Sequence, residues 1–387
     1  MGNLCKPLCS ENEIHSITCS PQQSGKEFVF TAKWNNRLVV FKSSHSRDRF
    51  GWENITRSGK LENNFPPKED RSRTVPRASK RAQDKESRIR EMKNYKRRKR
   101  VDEATVKEAN EKHFESIIRD IVNEKLNLTV TNSQIESLKY LETKNKFLYS
   151  EFSEARKTEK ANLYRLLQSR EYIMSQLFSD REMFPQIIGT CGHFYVVEHL
   201  RSPQFNSFFM LDDKEEWSER MKLAIEIMDF VEELETNFPD ALHMCDIKMS
   251  HFGVTNTGRL KFLDLDSVYT NNVIEKLASS GKPCQENADC DLLDCKSVCN
   301  ARTKICDGGI ANNNLQVICE KIFVGWTMSG KVIVPGLLMS EHTPASLATL
   351  LRLCAENGRA PVPEDVRQRL YTTLTEMYQI LTQRLSM

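Results

Sequence analysis

The stretch from His243 to Asp266, HMCDIKMSHFGVTNTGRLKFLDLD, limits the fold more than any other part of the sequence. Asn256-Thr257-Gly258 tolerates a tight backbone, so a turn is expected there, between strands over Phe252–Thr255 and Leu260–Leu263. Asp246 stands just before this hairpin, and Asp264 and Asp266 stand just after it. Closing the hairpin brings carboxylates 18 positions apart towards one end of a sheet. An ordinary surface hairpin with acidic ends has the same pattern, so the surroundings must decide what it does.

Two carboxylates placed this way suit phosphoryl transfer from a metal–nucleotide, where one handles the acceptor hydroxyl and the other holds the metal. The stretch resembles the catalytic and metal loops of protein kinases. MCDIKMSHFGV lies over H-R-D-x-K-x-x-N, and FLDLD lies over the strand and D-F-G. On that overlay Asp246 matches the catalytic Asp and Asp264 the metal Asp. Met244 and Cys245 replace the usual His and Arg, His251 replaces the metal-binding Asn, and Asp266 replaces the closing Gly.

Earlier parts of the chain supply matching pieces in the right order. Residues 27–42 alternate around Asn35-Asn36 and read as a hairpin. Its second strand, RLVVFKS, resembles the kinase strand that presents a nucleotide-binding Lys, here Lys42; a strand Lys is more often simply solvated. Gly25 alone remains of a glycine-rich loop. Residues 113–180 have helical spacing, with a helix expected from about Glu154 to Ser179. Glu171 on that helix matches the glutamate that pairs with the Lys. The strands QIIGTC and HFYVVEHL follow, and Glu198-His199-Leu200 matches the hinge. An amphipathic helix over 214–237 leads into the Asp246 loop, and Pro361 and Pro363 divide the helices of 345–386.

Twelve cysteines are many for a reducing compartment. Cys5, Cys9 and Cys19 cluster at the start, and Cys284, Cys290, Cys295, Cys299, Cys306 and Cys319 cluster after the hairpin. Their irregular spacing among Asp, Asn and Gly reads as disulfides. Zinc is disfavoured because paired C-x2-C knuckles are missing. The connectivity stays open, as does the state of Cys191 and Cys245. The sequons at Asn54 and Asn127 fit an oxidising lumen and are glycosylation candidates, although such sequons arise often by chance.

From Arg71 to Arg100 there are 14 Lys/Arg against 3 acids, in a chain whose net charge is +3. The stretch reads as disordered or as a solvated helix. The run Arg97-Arg98-Lys99-Arg100 has three readings: a nucleic-acid patch, a processing site or solvated charge. Only Tyr95 interleaves it, and the cysteines argue for an oxidising compartment, so no nucleic-acid partner is expected. No signal peptide is visible, and no run of eighteen apolar residues exists. Met1-Gly2 looks like a myristoylation start, but Lys6 stands where Ser or Thr is expected.

These features together resemble the divergent protein kinase domain proteins of the secretory pathway, "family with sequence similarity 69". The matching stretches are NLCKPLC, LLQSREYIMSQLF, FPQIIGTCGHFYVVE, MCDIKMSHFGV, LKFLDLDSV and CQENADCDLLDCKSVCNARTKIC through NNLQVIC. The resemblance implies an α+β, bilobal protein-kinase-like fold. Residues 1–24 would form a cysteine-containing N-terminal segment, and 25–200 an N-lobe interrupted by a basic, partly disordered insertion at about 45–130. Residues 201–387 would form the C-lobe, with the disulfide-stapled segment 284–319.

The resemblance also implies an endoplasmic reticulum or Golgi lumen, with membrane association only through an anchor absent from this sequence. The implied ligands are ATP with magnesium or manganese, and a lumenal protein or glycan substrate. Lys42, Glu171, Glu198 and Leu200 would serve the nucleotide, Asp246 the acceptor, and Asp264, Asp266 and His251 the metal. Relatives often carry a calcium-loop-like insert before LLQ. Here ETKNKFLYSEFSE lacks its carboxylate ladder and Gly, so no calcium is expected. The alternative function is a pseudokinase acting as a lumenal binding or scaffold module, which the poor glycine loop, Met244 and His251 favour.

Overall fold

The computed structural model describes residues 2–19, 27–44, 108–143, 153–203, 214–278, 281–328, 331–356 and 358–385. Gly25, Asn54, the basic run and most of ETKNKFLYSEFSE lie outside them. The chain divides into two compact units, Met1–His45 with Val122–Met387, and Ser46–Ile121. In the second, residues 108–121 are helical, and Glu108 pairs with Lys112 one turn later at 2.8 Å.

The first unit contains a five-stranded antiparallel sheet of β1 (Ile14–Cys19), β2 (Glu27–Trp34), β3 (Arg37–Ser44), β4 (Ile187–Cys191) and β5 (Phe194–Glu198). Their spatial order is β1-β2-β3-β5-β4. The β2–β3 hairpin turns at Asn35 and Asn36, whose φ values of 49° and 59° suit the tight turn that asparagine tolerates. Residues alternate faces along β3. Val39 and Phe41 point into a buried cluster with Leu4, Ile14, Ala32 and Val196, so Lys42 points to the other face.

The segment before β1 covers that apolar face. Cys5 is bonded to Cys191 on β4, the Leu4 amide donates to Thr190 O at 3.0 Å, and Asn3 Oδ1 accepts from the Thr190 amide at 2.9 Å. Residues 1–24 show little periodicity in sequence, yet they supply the edge strand β1 and fasten the opposite edge, β4. Gly189 makes this possible. A Cβ there would stand 2.6 Å from Asn3 Oδ1 and from the Leu4 side chain.

The helix expected over Glu154–Ser179 is two helices, Ser153–Leu166 and Arg170–Leu177. The break has a local cause: the Ser169 hydroxyl caps the second helix by accepting from the Tyr172 amide at 3.2 Å. Capping places Glu171 in the first turn, on a helix separate from the long one. In the first unit, Asn127, with φ of 51°, ends the helical residues 122–126, and its side-chain oxygen accepts from Lys276.

The remainder is built on the helix Lys214–Thr236, which packs against the C-terminal helix Glu364–Leu385. Beside it lie the hairpin of β7 (Phe252–Val254) and β8 (Leu260–Phe262), and the pair formed by β6 (Leu242–Met244) and β9 (Val268–Thr270). Phe230 of the long helix meets the edge of Phe252, which meets the edge of Phe262. The expected turn at Asn256–Gly258 is present, with Gly258 at φ 87°. The exposed hairpin of β10 (Gly325–Met328) and β11 (Lys331–Pro335) follows the cysteine-rich segment. Among the described residues, no helix is long and apolar enough to cross a membrane.

Five disulfides staple this unit: Cys5–Cys191, Cys245–Cys295, Cys284–Cys299, Cys290–Cys306 and Cys319–Cys354. The expectation for Cys9 and Cys19 is corrected, because both are exposed and unbonded. Cys9 ends the short helix Cys5–Cys9, and Cys19 ends β1, where every residue after Ile14 is exposed. Neither has a buried partner surface. Alkylation of the unreduced, denatured protein followed by peptide mapping should label Cys9 and Cys19, two of the twelve cysteines. Label at any of the other ten would overturn the pairing.

Candidate active site

The site is organised by one ammonium group. Lys42 Nζ on β3 contacts Glu171 Oε1 at 2.5 Å and donates to Leu263 O at 3.0 Å. Leu263 immediately precedes Asp264, so a strand, a helix terminus and the loop after β8 converge on Lys42. Glu171 is 1% exposed. Burial pushes its carboxyl up to about 7, against the opposing pull of Lys42.

The Asp264 loop is joined to the Asp246 loop through His251. The Leu263 amide donates to His251 O at 2.7 Å. His251 Nδ1 lies 3.0 Å from Asp246 O. A carbonyl only accepts, so Nδ1 carries the proton. In the neutral ring, Nε2 then presents its lone pair towards Asp264 Oδ2, 3.5 Å away. Two electron-pair donors at that distance attract only through a proton or a cation between them. Ligand atoms of Asp246, His251 and Asp264 all lie within 4.8 Å of one another, a donor set suited to a divalent cation.

The structure places the expected residues unevenly. Lys42, Glu171, Asp246, His251 and Asp264 come together. Asp246 completes the three-residue donor cluster, and Asp266 is not part of it. The Asp266 backbone oxygen accepts from Arg170 at 2.7 Å, and Arg170 stacks over Tyr269 at 4.3 Å. Glu198 Oε1 accepts from the Gln186 amide at 2.8 Å and from Lys261 at 2.6 Å, which fixes that side chain to its own neighbourhood. Leu200 packs against Gly253, where a Cβ would stand 2.7 Å from Leu200 Cβ. The 201–254 backbone bridge, at 2.8 and 3.1 Å, continues this contact.

Three residues escape the motif reading. Lys248 pairs with Asp246 at 2.9 Å, and that carboxylate holds its ammonium above the ordinary value. The D-x-K spacing already carried this signal. Asn314 accepts from the Met244 amide at 2.8 Å, and Asp294 accepts from the Ile247 amide at 2.8 Å. Their distance along the chain leaves no local signal.

The Glu171 shift has a consequence for stability. Its carboxyl ionises at 4.5 ordinarily and at about 7 in the fold. The folded state therefore binds the proton more tightly between those values. Its contribution is fully present below about 4.5 and lost as pH rises through about 7. Denaturant unfolding across that range should show the loss, and Glu171→Gln should flatten it. A wild-type profile that matches Glu171→Gln would refute the assignment.

Residues 163–357, about half of the chain, match the family model described as the protein-kinase domain of FAM69. Residues 1–72 match the model described as the N-terminal cysteine-rich ER region of FAM69. The second match agrees with the five disulfides, which form and persist in an oxidising secretory lumen. With its kinase-like domain and cysteine-rich N-terminal region, the chain belongs to the FAM69 family.

Proposed function

We propose that this kinase-like secretory protein binds ATP with a divalent cation and transfers the γ-phosphate to a hydroxyl of a lumenal protein or glycan. The convergence of Lys42, Glu171 and Asp264 carries the reading. They come from three separate chain regions, and Lys42 touches both Glu171 and the residue before Asp264. On this reading the five-stranded sheet and the helix Arg170–Leu177 form the smaller of two kinase lobes. The basic stretch is an insertion into that lobe, and the helices around Lys214–Thr236 form the larger lobe. Endoplasmic reticulum and Golgi remain alternative lumenal addresses, and Asn54 and Asn127 are proposed glycan acceptors.

The donor set fits a divalent cation. Asp246, Asp264 and His251 would hold it, and it would neutralise phosphate charge. Lys42 would bind the inner phosphates while Glu171 fixes its direction. The backbone of residues 198–200 would face the base, with Leu200 against it. Asp246 would take the proton of the attacking hydroxyl. Lys248, already paired with Asp246, would offset negative charge at the transferred group.

A second reading is a lumenal binding module without phosphotransfer. The Lys248–Asp246 contact favours it, since it draws two of the site's charges onto one another.

Thermal shift with ATP and magnesium, then with manganese, separates these readings. Ligand at a hundredfold excess over Kd should add about 2.7 kcal/mol of stability to the wild type. Asp264→Ala should lose the metal-dependent part. No shift with either metal would set the phosphotransferase reading aside in favour of the binding module.

A further inference from the structure

Both peptide units flanking Asp246 are bonded to one residue of the cysteine-rich segment. The Asp294 amide donates to Cys245 O at 2.8 Å, and Asp294 Oδ2 accepts from the Ile247 amide at 2.8 Å. The Cys245–Cys295 bond fastens the same two strips of chain covalently, and both cysteines are buried. Asp294 is itself held from further out. Lys321 pairs with its other carboxylate oxygen, and Asn312 donates to its carbonyl at 2.9 Å.

The turn presenting Asp294 is strained. Leu292 and Cys295 exchange backbone hydrogen bonds at 2.9 and 3.0 Å across it. Leu293 at its tip has φ of 55°, and 62% of its surface is exposed. The left-handed region is unfavourable for a bulky residue, and such strain persists only where the surroundings over-determine it. Packing of the exposed Leu293 side chain does not explain it. The turn does aim both the Asp294 amide and its carboxylate at the Asp246 loop.

Taking the proposed cation site as its premise, we propose that Asp294 is a positioning residue that sets the shape of the Asp246 loop. Its effect reaches two cation ligands at once, because His251 Nδ1 is bonded to Asp246 O. Moving residues 245–247 would displace Asp246 and His251 together. The cysteine-rich segment is thereby a scaffold for the site, and its disulfides keep that scaffold in register.

The test uses the full chain and manganese(II) alone, with free ion read by electron paramagnetic resonance, and amide hydrogen exchange resolved at Ile247. Asp294→Ala should weaken manganese binding 10- to 100-fold, the usual effect of removing a partner that orients metal ligands. It should also speed exchange at Ile247. Asp294→Asn keeps an oxygen acceptor for the Ile247 amide. It should restore slow exchange there and bring binding back to within a few-fold of wild type. Asp294→Ala indistinguishable from wild type in both readouts would overturn the proposal, as would Asp294→Asn behaving like Asp294→Ala. If wild type binds no manganese, the cation reading fails, while Ile247 exchange in Asp294→Ala still decides the positioning role. If Asp294→Ala does not fold, the wild type decides: Ile247 exchange at the rate of an unstructured peptide would refute the hydrogen bond.

Discussion

The contact on which the site depends is Lys42 with Glu171. Both are poorly solvated, and Glu171 is nearly inaccessible. Burying such a pair is expensive, and well-packed apolar residues of similar volume often serve stability as well or better. Stability alone is therefore a weak reason for a chain to contain it. What an apolar pair cannot do is donate to Leu263 O, and that bond links β3 to the residue before Asp264. The ammonium group thus works as a three-way joint between sheet, helix and loop. Ser169 contributes indirectly, since its cap starts the helix where Glu171 falls in the first turn.

The cysteines do elsewhere what apolar packing does around Lys214–Thr236. Segment 281–312 has isolated bridges and one short 3-10 turn, with no strand or helix long enough to build a core. Its buried cluster consists of Cys284, Cys290, Cys299 and Cys306 themselves. Closing loops of 15 and 16 residues by disulfides contributes about 3 kcal/mol each through the entropy of the unfolded chain. Covalent closure replaces the hydrophobic area that so short a segment cannot bury. The N-terminal staple has a different task. It fastens residues 3–5 to β4, an edge strand that would otherwise present unpaired backbone groups.

Local chemistry made much of this legible in sequence. Asn35-Asn36 and Asn256–Gly258 announce their turns because few residues accept positive φ. Lys42, Glu171, Asp246 and Asp264 could be ordered by motif because each lies on a recognisable element. The misses share a different origin. Cys191, Cys245 and Cys354 are partners through tertiary proximity, 186, 50 and 35 residues from the cysteines they meet. The helix break before Arg170 depends on one hydroxyl, which helical periodicity does not register. The pairing of β6 with β9 joins three-residue strands, too short for an alternating pattern to show. That pairing flanks the Asp246 and Asp264 loops; the overlay on D-F-G puts Asp266 with the metal ligands, whereas Asp246 completes the donor cluster.

His251 is the clearest departure from the kinase motif, and its geometry gives the departure a chemical meaning. An asparagine at this place offers a neutral oxygen. The imidazole instead uses one nitrogen to bind Asp246 O and turns the other towards Asp264. The first contact fixes the tautomer, as a backbone oxygen commonly does for a metal-binding histidine. The second leaves a nitrogen donor between two carboxylates. Magnesium demands oxygen and dehydrates reluctantly, whereas manganese and zinc accept imidazole more readily. On the proposed reading, loss of the asparagine therefore changes which cation the site prefers, and it is not by itself a mark of an inactive site. The same ring also carries any shift of the Asp246 backbone to the Asp264 ligand set. On that reading, the feature that looks most like decay in the motif couples the acceptor side of the site to its phosphate side.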